Sequence, residues 1–323
     1  MIAAGTVLGG CSAGATGSDR SGKVVRYQGW SGDVTWPELA QDLGLLGDIR
    51  LEWIGNTISG PQDVQATVTG DVDIGGAFNG AILRLAAAGA PVTAVLGYYG
   101  SDRGSYAGYY VPEDSPIRSP RDFVDKKVGV NTLGAHHEDT LSIYLERGGL
   151  TPEEIRSVQL VVVPPVSAEQ ALRSGQLDVA VLSDFKREKA VARGGIRPVF
   201  TDVELLGAFT GGCYVMRDDF VATNPDTTRT LVEGSARALR WAQTRPRDEV
   251  VDRFVSLIRR RGRNENAETI RFWRSTGVAG VGGLIAEREF TIWLDHLIAD
   301  GRVEPGQIAP QQLYTNEFNP FRR

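Results

Sequence analysis

Four short stretches bring together the residue types that binding or catalysis would use: residues 28–32, 78–80, 131–137 and 183–185. Asn79-Gly80 and Thr132-Leu133-Gly134-Ala135 combine small and polar residues, which lets backbone N–H groups come close to a ligand. At a helix N-terminus such N–H groups are unpaired and carry partial positive charge, so they hold an oxyanion without a full cation. These residues also have a plainer role, Asn79 as a helix cap and Gly134 as a turn residue. Phe78, Asn131, Gln28, Ser31 and Gly32 complete the polar and small lining of the same loops. His136 and His137 are adjacent, so on a helix they diverge by about 100°, unlike an i, i+4 pair that shares a metal. A hydrogen bond to ligand or an exposed helix face suits them, and no metal is expected. Asp184 suits a cationic group on a ligand, or caps the helix that follows it. Trp30, Phe185 and Phe209 offer aromatic surface that covers the organic part of a ligand or packs the fold. Among Tyr98, Tyr99, Tyr106, Tyr109 and Tyr110, strand alternation sends about half into the core. The run Arg259-Arg260-Arg261, with Arg263, reads as a solvated helix end. No G-x-S-x-G match lies at a strand-to-helix turn, where a nucleophile elbow needs it, and no cofactor is expected.

These stretches converge only if an α/β sheet places them beyond the carboxyl ends of its strands, where loops meet helix N-termini. The chain does alternate strand-like and helix-like segments from Lys23 onward. Strands are expected over 24–29, 49–54, 72–77, 92–98 and 106–111, with helices over 35–44, 60–68 and 80–88 between them. Pro61 suits the first turn of its helix. A second set follows, with strands over 127–130, 158–163 and 177–182 and helices over 119–123, 135–147, 167–174 and 185–191. A strand over 212–216 leads back toward the first set, and helices over 226–243, 247–261, 267–276 and 290–300 close the chain.

The 323 residues are enough for two lobes, and 41% hydrophobic with 23% charged residues is a globular composition. A formal charge of −5 argues against a nucleic-acid partner, which selects a basic face. No window approaches the roughly 18 apolar residues of a membrane-spanning helix. The two cysteines, Cys11 and Cys213, exclude a thiolate metal cluster and a multi-disulfide framework. An apolar run over 2–8 leads into Leu8-Gly9-Gly10-Cys11, which resembles a bacterial lipoprotein signal with Cys11 as the lipidated residue. A Gly/Ser/Ala/Thr tether follows over 12–18. The segment departs from the pattern in opening without Lys or Arg. Export is expected, with anchoring to the outer face of the membrane through Cys11 alone.

Four motifs then occur in order. Gly60-Pro61-Gln62 leads to Gly70-Asp71-Val72-Asp73-Ile74-Gly75; Ala87-Ala88-Gly89-Ala90-Pro91-Val92 follows; Asp114-Ser115-Pro116-Ile117 precedes 121–130; and Gly149-Leu150 precedes Gly175-Gln176-Leu177-Asp178. In this order they resemble the binding proteins for aliphatic sulfonates, taurine and nitrate, which have the type II periplasmic-binding fold. The family's Thr-Gly-Glu/Ser loop is here Phe78-Asn79-Gly80, and its Trp-Asp-Pro turn is Ser183-Asp184-Phe185. The resemblance implies two α/β lobes with a hinge and a ligand cleft between them. It implies residues 1–22 as signal and tether, 23–110 plus 216–323 as the first lobe with C-terminal helices, and 111–215 as the second. It also implies an extracytoplasmic component of an ABC importer, not an enzyme, monomeric, partnered by permease and ATPase subunits. Its solute would be a small anionic, sulfonate-like molecule. A thiamine-precursor pyrimidine, nitrate or bicarbonate is the alternative, as is a pyrimidine-forming enzyme of the same fold.

Overall fold

A computed structural model describes residues 23–322; the Cys11 segment lies outside them. The first lobe begins with β1 (Val24–Gly29), α1 (Trp36–Asp42), β2 (Arg50–Asn56), α2 (Gly60–Thr69), β3 (Gly75–Phe78), α3 (Asn79–Ala87) and β4 (Val92–Ser101). The chain then crosses to β5 (Ala107–Pro112), β6 (Lys127–Val130), α4 (His136–Arg147), α5 (Pro152–Ser157) and β7 (Gln159–Val162). It continues through α6 (Ala168–Arg173), β8 (Val179–Ser183), α7 (Asp184–Ala192), β9 (Ile196–Thr201) and α8 (Asp202–Leu206). β10 (Phe209–Arg217) returns, and α9 (Asp218–Thr223), α10 (Pro225–Thr244), α11 (Arg247–Arg260) and α12 (Arg288–Ala299) complete the molecule.

Both lobes are built on one plan. In the first, β1 pairs parallel with β2, a Tyr27–Ile74 bridge joins them to the approach of β3, and the order continues β3-β10-β4. In the second the order is β7-β6-β8-β5-β9. Each sheet thus receives one strand from the opposite crossing, β10 or β5, and that strand runs antiparallel to both its neighbours. The two-lobed α/β arrangement expected from the sequence is the one the chain adopts. The chain changes sheet between Ser101 and Ala107 and again between Thr201 and Phe209. The boundaries expected at 110/111 and 215/216 therefore fall inside β5 and β10, because a crossing strand belongs wholly to the sheet it joins.

Packing follows from strand composition. β10 is buried from Phe209 to Met216, as a central strand covered on both faces must be. One cluster joins β1 to the helices on its face through Val25, Leu39, Leu231 and Phe254, and another joins α3, β10 and α12 through Ile82, Val215 and Trp293. The second lobe has a cluster around Tyr109, Phe123, Leu141 and Phe200, and a smaller one around Leu172, Ala180 and Ala190. Phe185 of α7, in the second lobe, packs into the first lobe's cluster, so the lobes touch across the cleft.

Two expectations are corrected. The segment 267–276 is not a helix: it holds a single 3-10 turn, Thr269–Phe272, and then runs irregularly. Arg247 Nε donates to the Trp273 carbonyl at 2.8 Å, and Gly277 at φ 66° turns the chain away, so the backbone groups are satisfied without a helical ladder. The arginine run is only half solvated. Arg259 and Arg260 are exposed, but Arg261 and Arg263 are half-buried and pair with Glu38, at 3.0 and 2.9 Å.

Candidate ligand-binding site

A cavity of about 190 Å³ lies between the lobes. Four helices point their N-terminal ends at it: α1 through Thr35 and Trp36, α2 through Gly60 and Pro61, α4 through Ala135, His136 and His137, and α7 through Asp184 and Phe185. Each end brings partial positive charge to the wall. The ends of α4 and α7 have no side-chain cap, which leaves first-turn N–H groups there without a side-chain acceptor.

The first loop is held by a buried hub. Thr35 and Glu38 form a capping box at the start of α1, and Glu38 also accepts from the Tyr27 hydroxyl at 2.6 Å. With Arg261 and Arg263 on the same carboxylate, β1, α1 and the distant arginine segment are tied at one point. Asp33 and Trp36 stand at the wall beside it. Burial, with Asp184 nearby, pushes the Asp33 carboxyl up to about 6 against the opposing pull of Lys186.

The aromatic wall depends on an irregularity in β4. Its pairing with β10 shifts register around Gly212, which faces Tyr99 while Cys213 faces Gly97. Such a bulge breaks strict alternation, so Tyr98 and Tyr99 both reach the cavity. The Tyr98 ring stacks on Tyr214 at 4.4 Å, and the Trp36 indole N–H donates to the Tyr98 carbonyl at 2.7 Å. Burial raises all three phenols well above their ordinary value, so they are neutral hydroxyls. Phe254 and Trp273 extend this wall from the C-terminal part of the chain.

From the second lobe come the histidines and Asp184. His136 stacks on Phe78 at 5.4 Å, and its Nε2 lies 3.2 Å from Asp202 Oδ2 without the alignment of a hydrogen bond. Asp202 itself accepts from the Ser101 hydroxyl at 2.5 Å and the Ala107 N–H at 3.1 Å, bracing the crossing. His137 Nδ1 is buried without a protein partner, and burial reinforced by His136 pushes its imidazole down to about 3. Asp184 opens α7 at φ 52°, a left-handed conformation that Asp tolerates. Its oxygens accept from the Ser105 and Ser183 hydroxyls, each at 3.2 Å. Across the cleft, Arg274 pairs with Glu188 of α7.

Of the residues nominated from sequence, Trp30, Phe78, Asn131, Ala135, His136, His137, Asp184 and Phe185 line the cavity, while Gln28, Ser31, Gly32, Asn79, Gly80, Thr132, Gly134 and Phe209 do not. Asn79 is fully buried and donates to the Thr210 and Glu289 carbonyls at 2.9 and 3.0 Å, so it serves the first lobe's interior. The Gly134 N–H donates to Glu138 at 2.8 Å, and the Gly32 N–H to Glu265 at 2.9 Å, so protein carboxylates already take both. Phe209 lies wholly in the core against Trp293. Asp33 and Trp36 were missed although the Thr35–Glu38 capping pattern marks their loop. The Tyr98-Tyr99 pair opposite Gly211-Gly212 carries a bulge signal. Trp273 to Thr276 carry no local signal. Among the described residues, no group of His, Cys, Asp and Glu is arranged to hold a metal, and no helix is long and apolar enough to cross a membrane.

Comparison with known proteins bears on this architecture. The alkanesulfonate-binding protein SsuA from Xanthomonas axonopodis pv. citri, bound to MOPS, matches with a TM-score of 0.70 at 18% identity, over 91% of this chain and 98% of its own. The periplasmic nitrate-binding protein NrtA from Synechocystis PCC 6803 matches with a TM-score of 0.72 at 14% identity, over 92% and 87%. The desulfurization enzyme DSZB matches with a TM-score of 0.57 at 16% identity, over 92% and 97%. At these identities the likeness is one of fold, which binding proteins and an enzyme share. No curated protein matches the sequence significantly. A family model described as NMT1/THI5 like matches residues 55–249, more than half of the 323 residues. The chain therefore belongs to the NMT1/THI5-like family.

Proposed function

We propose that this protein is the extracytoplasmic solute-binding component of an ABC importer, closing its lobes over a small organic solute and presenting it to a permease. The observation that carries this reading is the cavity itself: both lobes line it, helix N-termini point into it, and aromatic rings wall it. Export, anchoring through Cys11 and a monomeric state belong to the same reading. A sulfonate-like head group fits the fold neighbours named for alkanesulfonate and nitrate binding. Its oxygens would take the open N–H groups at the starts of α4 and α7. With Asn79 and Gly134 committed to the protein, these two ends are where an anion is best received. A thiamine-precursor pyrimidine is the second reading, favoured by the flat aromatic walls.

Capture needs no nucleophile, and the Cys213 thiol is poorly placed to be one. Cys213 is fully buried within β10, and burial raises its thiol well above the ordinary value. The test is thermal unfolding of the full chain against alkanesulfonates, taurine, nitrate, bicarbonate and pyrimidines. A solute present at 100 times its Kd adds about 2.7 kcal/mol to stability. A selective rise in Tm, with compaction in small-angle scattering, is expected for one class. A flat panel with no small molecule released on denaturation, or a turnover product from any candidate, would overturn the reading.

A further inference from the structure

We propose that the seam joining α4 of the second lobe to α3 and α12 of the first is a proton-sensitive latch, in which protonated His136 and His296 hold the lobes closed. It needs only that the lobes move, whatever solute they take. Ile143 of α4 packs into the first lobe's cluster beside Ile82 and Trp293, so the seam is a true interior between the lobes. Glu146 follows three residues later on the same face of α4, and its Oε2 lies 3.5 Å from His296 Nδ1 on α12. At the other end of α4, His136 enters a box of first-lobe rings. Phe78, Tyr99, Phe209 and Trp293 surround it at centroid distances of 5.4, 6.0, 5.6 and 5.7 Å. Its Nε2 lies 3.2 Å from Asp202 Oδ2, at the second crossing between the lobes.

These rings are the seam's unsatisfied polar groups. His136 and His296 are only 7% and 6% exposed. His136 Nε2 and both ring nitrogens of His296 are buried without a hydrogen-bond partner. A neutral imidazole has one N–H donor and one acceptor, so neutral His296 leaves both unpaired, at a cost to the closed state. Protonation makes every ring nitrogen a donor, with Glu146 facing one ring and Asp202 the other, and the stacked Phe78 face favours the cation. The other charges on the packed elements are committed. Arg84 of α3 and Arg302 beyond α12 pair with Asp139, and Arg302 also with Glu138 and Asp300. Arg147 donates to the Leu205 carbonyl, and Arg288 to those of Leu206 and Ala208. Glu289 accepts the Thr210 N–H at 2.8 Å, and burial keeps Tyr99 and Cys213 neutral. His137, pushed down to about 3, stays neutral near pH 7. No Arg or Lys among the described residues pairs with Glu146 or Asp202, so the imidazoles are what meets those carboxylates. Opening the lobes withdraws His136 from its box and parts His296 from Glu146. Protons therefore favour the closed lobes, an effect present below the ordinary imidazole range and lost as pH rises through it.

The experiment is small-angle scattering of the full chain, freed of bound solute by denaturation and refolding, at about pH 8 and about pH 5.5, either side of the ordinary imidazole value. The latch expects a smaller radius of gyration at the lower pH. The chain has three histidines, so three Cε1 proton resonances, assigned through single variants, show which ring titrates as the lobes close. His136→Gln and His296→Gln should each reduce the compaction, and the double variant should abolish it. Glu146→Gln, at an exposed position that leaves packing intact, should act like His296→Gln, whereas Asp295→Asn, on the exposed face of α12, should leave the compaction unchanged. An equal or larger radius at the lower pH would overturn the latch, as would compaction that survives the double variant. If the histidine variants do not fold, Glu146→Gln and the resonances of the unaltered chain decide: compaction with both rings still neutral would overturn it equally. None of these outcomes depends on which solute the cavity takes.

Discussion

At the scale of single residues, two ionisable groups make stability depend on pH in opposite directions. Asp63, on α2, is only 5% exposed; its Oδ2 accepts the Gly76 N–H at 2.6 Å, while its Oδ1 is buried without a partner. Burial pushes this carboxyl up to about 7 despite that hydrogen bond. The folded state therefore holds the proton more tightly than the unfolded chain, and stability falls as pH rises from about 4 to about 7. Asp63→Asn keeps the acceptor for Gly76 and removes the charge. Its unfolding free energy should exceed that of the unaltered protein at pH 8 by a few kcal/mol and converge with it near pH 4, as urea titrations at the two pH values would read. His137 has the opposite sign. Its imidazole sits at about 3, so the unfolded chain binds the proton better, and stability is lost as pH falls from about 6.5 toward 3. His137→Gln should flatten that acid limb, and an unchanged slope would mean that the ring is more solvated than its unpartnered Nδ1 implies.

At the scale of elements, the site is made by departures from regularity. Strict alternation along β4 would send Tyr98 and Tyr99 to opposite faces, and the bulge opposite Gly212 is what lets both reach the cavity. A Cβ on Gly212 would collide with the Tyr99 ring and with the Ala77 carbonyl. The ring can rotate, but the carbonyl belongs to β3 and cannot move without breaking the pairing. Gly212→Ala should cost about 1–3 kcal/mol of stability, the usual range for overpacking. It should also weaken solute binding, because Tyr99 is displaced from the wall. A variant with normal stability and affinity would show that the bulge is not needed. The capping box of Thr35 and Glu38 acts alongside it, starting α1 where Asp33 and Trp36 meet the cavity.

At the scale of the whole molecule, the lobes are held together by contacts of two kinds. Away from the cavity mouth, Asp139 is fully buried between Arg84 and Arg302, at 3.0 and 3.3 Å. At the cleft, Arg274 reaches Glu188 from an exposed position. Exposed ion pairs contribute little to stability, so Arg274→Ala should leave the unfolding midpoint nearly unchanged. It should nevertheless shift the ligand-free ensemble toward open lobes, seen as a larger radius of gyration, and weaken solute binding severalfold. An unchanged radius would place closure in the Phe185 contact instead. Much of this architecture could be read from local pattern. The strands at Val24–Gly29 and Lys127–Val130 stand where alternation put them, and the helix at Gly60–Thr69 begins at its Gly-Pro signal. The loops beyond the strand ends place Trp30, Asn131, His137 and Asp184 on the cavity wall. What local pattern could not assign was the direction of side chains and the return of distant segments. Asn79 looks like an anion-binding residue in sequence, yet two carbonyls from elsewhere in the fold claim its amide. Trp273 and Arg274 read as helix, yet long-range bonds from Arg247 hold that segment extended at the cleft. The sequence by itself determined the elements and the loops that face the cleft, because caps and periodicity act over a few residues. Only the tertiary structure decided which polar groups are already satisfied, and hence which remain for a ligand, because partners far apart in the chain meet only when the chain folds.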